Sequence, residues 1–113
     1  MVDYNKPIDK VYYDPRLLGY SDDQDVELFI TTAKGNGMTN AGVHDNDLLI
    51  CEKTQNVVDG DLVVVNANGE SMIRRFFKNG KSARLKRENG TGEEIIVKEY
   101  TIVGKLVAIQ RRM

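Results

Sequence analysis

One cysteine, one histidine, two prolines and no tryptophan occur in this chain, and its 113 residues contain no long apolar run. Each scarcity excludes something. The single Cys51 has no second thiol for an internal disulfide, which suits a reducing compartment. The single His44 stands in a turn beside Asp45 and Asp47 without further ligand-type side chains converging on it, so no metal and no cofactor are expected. A membrane-spanning helix needs about 20 apolar residues, and neither such a run nor a basic-then-apolar leader is found, so a soluble cytoplasmic protein is expected. A formal net charge of −1 removes the overall basic or acidic signature of a nucleic-acid or membrane-surface protein. The length suits one domain.

The charge that is present is unevenly spread. Residues 1–50 hold four bases against nine acids, and residues 51–113 hold 12 bases against eight acids. Such a dipolar chain could steer a partner or attract a second copy of itself. Residues 1–25 contain both prolines, the pair Tyr12-Tyr13 and the acidic run Asp22-Asp23-Gln24-Asp25, with no sustained hydrophobic period. They read as an extended N-terminal arm, which leaves residues 26–113 as the folded domain.

From Val26 onward the pattern predicts strands over residues 26–32, 47–53, 61–66, 70–78, 81–87, 94–98 and 100–109. Val63-Val64-Val65 suggests burial on both faces of its strand. Asn68-Gly69 and Asn79-Gly80 are hairpin-turn pairs, because both residue types accept the positive φ of tight turns. Gly104 inside the last run predicts a bulge or bend. Only residues 39–42 suggest a short helical turn. The fold class is therefore mostly β, a barrel-like or sandwich domain of short strands.

One stretch says more. Gly35-Asn36-Gly37-Met38, then Gly42-Val43-His44-Asp45-Asn46-Asp47 and the apolar Leu48-Leu49-Ile50, resembles the active-site entrance of LexA/UmuD-type self-cleaving Ser/Lys peptidases. That motif is Gly-x-Ser-Met, a spacer, Gly-[Ile/Val]-x-Asp-Gly-Asp and a strand. A second landmark is the strand opened by Gly60-Asp61, leading through a Gly-Glu turn into the strand that supplies the family's general-base lysine. The resemblance covers roughly residues 26–110 and implies the LexA/UmuD C-terminal-domain fold. It places Gly37 where the nucleophilic serine belongs and Arg74 where the lysine belongs. The motif residues Gly35, Met38, Gly42, Asp45, Asp47, Gly60 and Asp61 are kept. Asn46 replaces the usual glycine of Asp-Gly-Asp, a mild departure because Asn tolerates a left-handed conformation.

The dyad chemistry needs a hydroxyl and a lysine desolvated enough to release its proton near neutrality. Glycine supplies no nucleophile, and arginine stays charged at any accessible pH. The expectation is a pseudo-peptidase without catalytic residues. Two other readings stand beside it. An active self-cleaving peptidase would need an unrecognised nucleophile, Thr39 or the Ser71 of Gly69-Glu70-Ser71-Met72, which repeats Gly-x-Ser-Met without the downstream motif and reads as an ordinary turn serine. A nucleic-acid-binding β domain would use the basic hairpin Arg74, Arg75, Lys78, Lys81, Arg84, Lys86 and Arg87 around Phe76 and Phe77. A solvated hairpin with its phenylalanines inward explains the same residues.

As a member of the resembling family the chain would act through homodimerisation and protein contacts, in the DNA-damage (SOS) response or in repressor regulation. The implied partners are an error-prone DNA polymerase, a RecA filament or a fused DNA-binding domain. The chain has no room for an upstream helix-turn-helix and no Ala-Gly or Cys-Gly cleavage pair before Gly37, so it looks like the truncated UmuD form or an isolated repressor C-terminal domain. Dimer contacts are expected from the last strand through Ile102, Leu106, Val107 and Ile109, since a strand so apolar is either central in its sheet or covered by pairing.

Overall fold

The computed structural model describes residues 2–3 and 26–111. Most of the expected arm therefore lies outside the described residues, apart from a two-residue strand at its start. The strands are β1 (Val2–Asp3), β2 (Leu28–Ala33), β3 (Leu48–Glu52), β4 (Leu62–Ala67), β5 (Glu70–Asn79), β6 (Ser82–Lys86), β7 (Glu94–Val97) and β8 (Tyr100–Gln110). One 3-10 turn, Thr39–Ala41, sits between β2 and β3. The mostly β fold expected of a LexA/UmuD-type domain is what forms. No helix among the described residues is long and apolar enough to cross a membrane.

The strands make one sheet in the order β1-β2-β3-β8-β4-β5-β6-β7, and every pairing is antiparallel. β1 also comes against β5, far along that order, so the sheet curls back on itself. Sequence alternation explains how one sheet supports two apolar clusters. In β4, Val63 and Val65 enter one cluster with Met72, Phe76, Leu85 and Ile102, while Val64 enters the other with Met38, Leu49, Cys51 and Ile73. All three valines are fully buried, as their run predicts. Phe76 and Tyr100 meet at 6.2 Å between ring centroids in a tilted pair.

The β4–β5 hairpin turns on Asn68-Gly69, both at positive φ, with Ala67 opposite Glu70. In the β5–β6 hairpin the two-residue loop is Gly80-Lys81, because Asn79 still pairs with Ser82. β8 carries two bulges. The register with β4 jumps past Val103, and the register with β3 jumps past Val107. Gly104 is required for a different reason than the bulge itself. A Cβ there would lie 2.6 Å from both the Glu52 carbonyl oxygen and the Phe29 ring, so only glycine lets β8 approach β3 and Phe29 this closely.

β8 resolves the choice between a central and a covered strand, since it lies between β3 and β4 with both of its edges paired. Ile102 is buried in the first cluster, and Leu106 packs against the second. Val107 is half-buried, and Ile109 is 36% exposed. The outer strand at the far end of the sheet is β7, where Ile96 is 62% exposed.

Candidate functional site

Met38 anchors the Gly37 segment. Its side chain is 1% exposed in the second cluster, and its carbonyl accepts from Ala41 N at 3.0 Å and from Val43 N at 3.1 Å, which closes the short 3-10 turn. On one side Gly37 is tied to the chain beyond β6. Glu88 N donates to the Gly37 carbonyl at 2.9 Å, and Asn40 N donates to the Glu88 carbonyl at 2.7 Å. On the other side the motif carboxylates hold the loop. Asp45 Oδ1 accepts from Gly35 N at 2.7 Å, and Ala33 bonds Asn46 and Asp47 through backbone at 2.8 and 2.9 Å. Asn46 adopts φ 71°, the left-handed conformation its place in the motif demands.

This scaffold brings Gly37 against Arg74. A Cβ built on Gly37 would lie 3.1 Å from Arg74 Nη1, 3.6 Å from Arg74 Cζ and 3.5 Å from Arg87 Nε. Gly37 is not among the positive-φ residues, so its backbone would accept any side chain. The constraint is space, which the guanidinium has taken.

Arg74 is only 8% exposed. Its Nη1 donates to the Ile73 carbonyl at 2.7 Å, and it has no ion-pair partner among the described residues. Burial pulls its pKa below the ordinary arginine value, and the neighbouring Arg87 charge pulls it the same way, while Glu70 and Glu93 oppose both. It remains a cation, unable to serve as a base.

Asp47 is the other buried charge at the site. Arg111 grips its carboxylate with two bonds, Nε to Oδ1 and Nη2 to Oδ2, both 2.7 Å, and Nη2 also donates to the Gly42 carbonyl at 3.0 Å. His44 N adds a bond to Oδ2 at 2.8 Å. The Arg111 bond holds the Asp47 carboxyl below its usual pKa against the opposing effect of burial, with the His44 amide helping. The cover is shallow, because it includes the half-exposed Arg111 side chain. A surface cleft of about 370 Å³ lies here between His44 and Arg111. No cluster among the described residues could hold a metal ion.

Gly60 and Asp61 serve the fold on the same principle. Gly60 N donates to the Phe76 carbonyl at 2.8 Å, Phe76 N donates to the Asp61 carbonyl at 2.9 Å, and Asp61 Oδ2 accepts from Val58 N at 2.9 Å. They clamp the loop before β4 onto β5, the strand that carries Arg74.

The other candidate nucleophiles have different surroundings. Ser71 Oγ donates to Asn66 Oδ1 at 2.6 Å across the hairpin, one strand position out of phase with Arg74. Cys51 is fully buried, and burial pushes its thiol up to about 12. Much of the basic hairpin is neutralised locally. Arg75 binds Glu88 Oε1 at 2.7 and 3.2 Å and the Gly60 carbonyl at 2.8 Å. Arg84 pairs with Glu94 at 3.3 Å and lies 5.0 Å from the centre of the Phe77 ring. Phe76 is buried. A single-strand platform would need those rings bare. Arg87 and Arg111 belong to the site although the motif did not mark them. Arg87 was legible only as one of a row of bases, and Arg111 only as a basic end.

Two landmarks that place a serine-type loop against a lysine-type strand define the protein class: a β domain built on the Ser/Lys peptidase plan. The chain belongs to the Peptidase S24-like family, whose model matches residues 2–107. It is 44% identical over 86 residues to the LexA repressor of Clostridium acetobutylicum, covering 76% of this chain and 42% of that protein. It is 39% identical over 87 residues to the LexA repressor of Caldicellulosiruptor saccharolyticus, covering 77% and 43%, and 41% identical over 86 residues to that of Clostridium tetani, covering 76% and 43%. The chain thus spans less than half the length of these curated relatives.

Proposed function

We propose that this chain is a Peptidase S24-like domain without peptidase chemistry, which works in the cytoplasm as a homodimer and through protein contacts in repressor regulation or the DNA-damage response. The observation that carries the reading is the pairing of Gly37 with Arg74. The two positions meet as a dyad should, yet one has no side chain and the other holds a permanent cation. The similarity to LexA repressors supports the regulatory setting, in which a fused DNA-binding domain, a RecA filament or an error-prone polymerase would be the partner. With β8 interior, a dimer contact would use the faces of Val107 and Ile109 or the β7 edge at Ile95 and Ile96 rather than the edge of β8.

The test has two parts. Prolonged incubation at alkaline pH, with and without RecA filaments, should leave the chain mass unchanged, and a fragment lost on Ser71→Ala or Thr39→Ala would refute the inactive reading. Light scattering at micromolar concentration should report a dimer that Val107→Glu or Ile96→Glu weakens, and a monomer throughout would refute the assembly.

A further inference from the structure

The Arg74 guanidinium is more than nine-tenths buried, yet among the described residues one backbone carbonyl is its only hydrogen-bond acceptor. A guanidinium carries five N–H donors in a planar fork suited to carboxylates. A second guanidinium, Arg87, approaches the same point beside Gly37. Two cations facing one small space repel each other unless an anion joins them. The nearby carboxylates are engaged elsewhere. Glu88 is held by Arg75, and Glu93 pairs with Arg87 at 3.4 Å from a position that is 65% exposed. The Glu88–Gly37 and Asn40–Glu88 backbone bonds fix the loop against the end of β6, so the space is built rather than incidental. Gly37 is only half-buried, and Gly35 and Asn36 are exposed, which leaves access from solvent.

We propose that Arg74 and Arg87, flanking the bare Cα of Gly37, form a pocket for the free C-terminal carboxylate of an extended peptide. A planar carboxylate fits beside a guanidinium 3.1 Å from the missing Cβ better than a bulkier tetrahedral anion does. The peptide part rests on the reading of this site as a former peptidase centre, where a product's new carboxylate would stand beside the nucleophile position. The domain would then recognise a chain end where its peptidase relatives cut.

The test is an NMR titration of the whole chain with acetyl-trialanine as the free acid, the same peptide as its C-terminal amide, acetate, and inorganic phosphate. The acid should shift the Gly37 amide and the Arg74 and Arg87 Nε–H signals saturably, and the amide should bind at least about tenfold more weakly, as expected for loss of a charge-assisted bond. Arg87→Gln, at a partly exposed position, should weaken the acid about tenfold. Arg74→Lys, which keeps the charge and loses the fork, should do the same. Equal response to acid and amide, no response to the acid, or acetate or phosphate binding as tightly as the peptide acid would each overturn the proposal. Mass spectrometry of the same samples separates the two readings. Hydrolysis of the peptide amide bonds would refute the inactive reading, whereas intact peptide with no carboxylate dependence would refute only the pocket.

Discussion

Arg74 occupies the room that a side chain at Gly37 would need, with Nη1 3.1 Å from the site of the missing Cβ. The two residues are matched to each other, because neither position constrains the backbone and each limits what the other can be. Gly37→Ser alone should push the guanidinium off the Ile73 carbonyl and cost about 1–2 kcal/mol by overpacking. Arg74→Lys should recover most of that loss. A double-mutant cycle from urea unfolding measures the coupling; additive effects would show that the two sites do not sense each other.

The same double variant should regain a reactive serine. A lysine placed where Arg74 sits would meet the same desolvation, which lowers its pKa and lets it accept the serine proton. A fluorophosphonate probe should label Gly37→Ser/Arg74→Lys faster as pH rises and should leave Gly37→Ser unlabelled. Labelling of the single variant would mean that another base is within reach.

Acid stability should depend on Asp47. Its carboxyl has a lowered pKa in the folded state, so the stability it contributes is complete above the unfolded value of about 4. That contribution drains away as pH falls below about 4 through the lower folded pKa. In thermal unfolding scans, wild type should lose midpoint temperature more steeply than Asp47→Asn over that window. Arg111→Ala, which leaves the carboxylate covered and unpaired, should be less stable than wild type at neutral pH. Parallel pH curves for wild type and Asp47→Asn would contradict the assignment.

Gly104→Ala tests the closeness of β8 to β3. The new methyl would meet backbone at Glu52 and the Phe29 ring, both at 2.6 Å, and the backbone contact has no flexible end to yield. A loss of about 2–3 kcal/mol in urea unfolding is expected, and Phe29→Leu should relieve it only in part.

Cys51 should resist thiol reagents in the native state. It is fully buried with its pKa at about 12, so it offers almost no thiolate at pH 8. Ellman's reagent should react stoichiometrically only after unfolding in urea, and rapid native labelling would require local opening of β3.

The strands were legible in sequence because local rules specify them. β-Branched runs and Asn-Gly pairs marked β2 to β8 to within about two residues, and the motif located the Gly37 loop and its Asn46 turn. What was not legible is non-local. Nothing in the pattern of residues 100–109 shows which strands flank them, and the bulge expected at Gly104 falls at Val103 while glycine is needed for close approach. Arg111 reads as a basic end until the fold carries it to Asp47, 64 residues away. The Asp45 and Asp47 turns were readable in kind, but their acceptors had to be seen.

The place of β8 also governs how the domain can be made. In the hydrogen-bonded ladder, β1-β2-β3 and β4-β5-β6-β7 are two separate blocks, and the last strand of the domain is the only one that pairs with both. A ribosome therefore releases the seam of this sheet after all the other strands. Until then the long-range pairing that joins the blocks has no partner, and each presents an open edge to its neighbours in the cell. Premature termination anywhere before residue 100 yields two unjoined half-sheets rather than a smaller version of the fold.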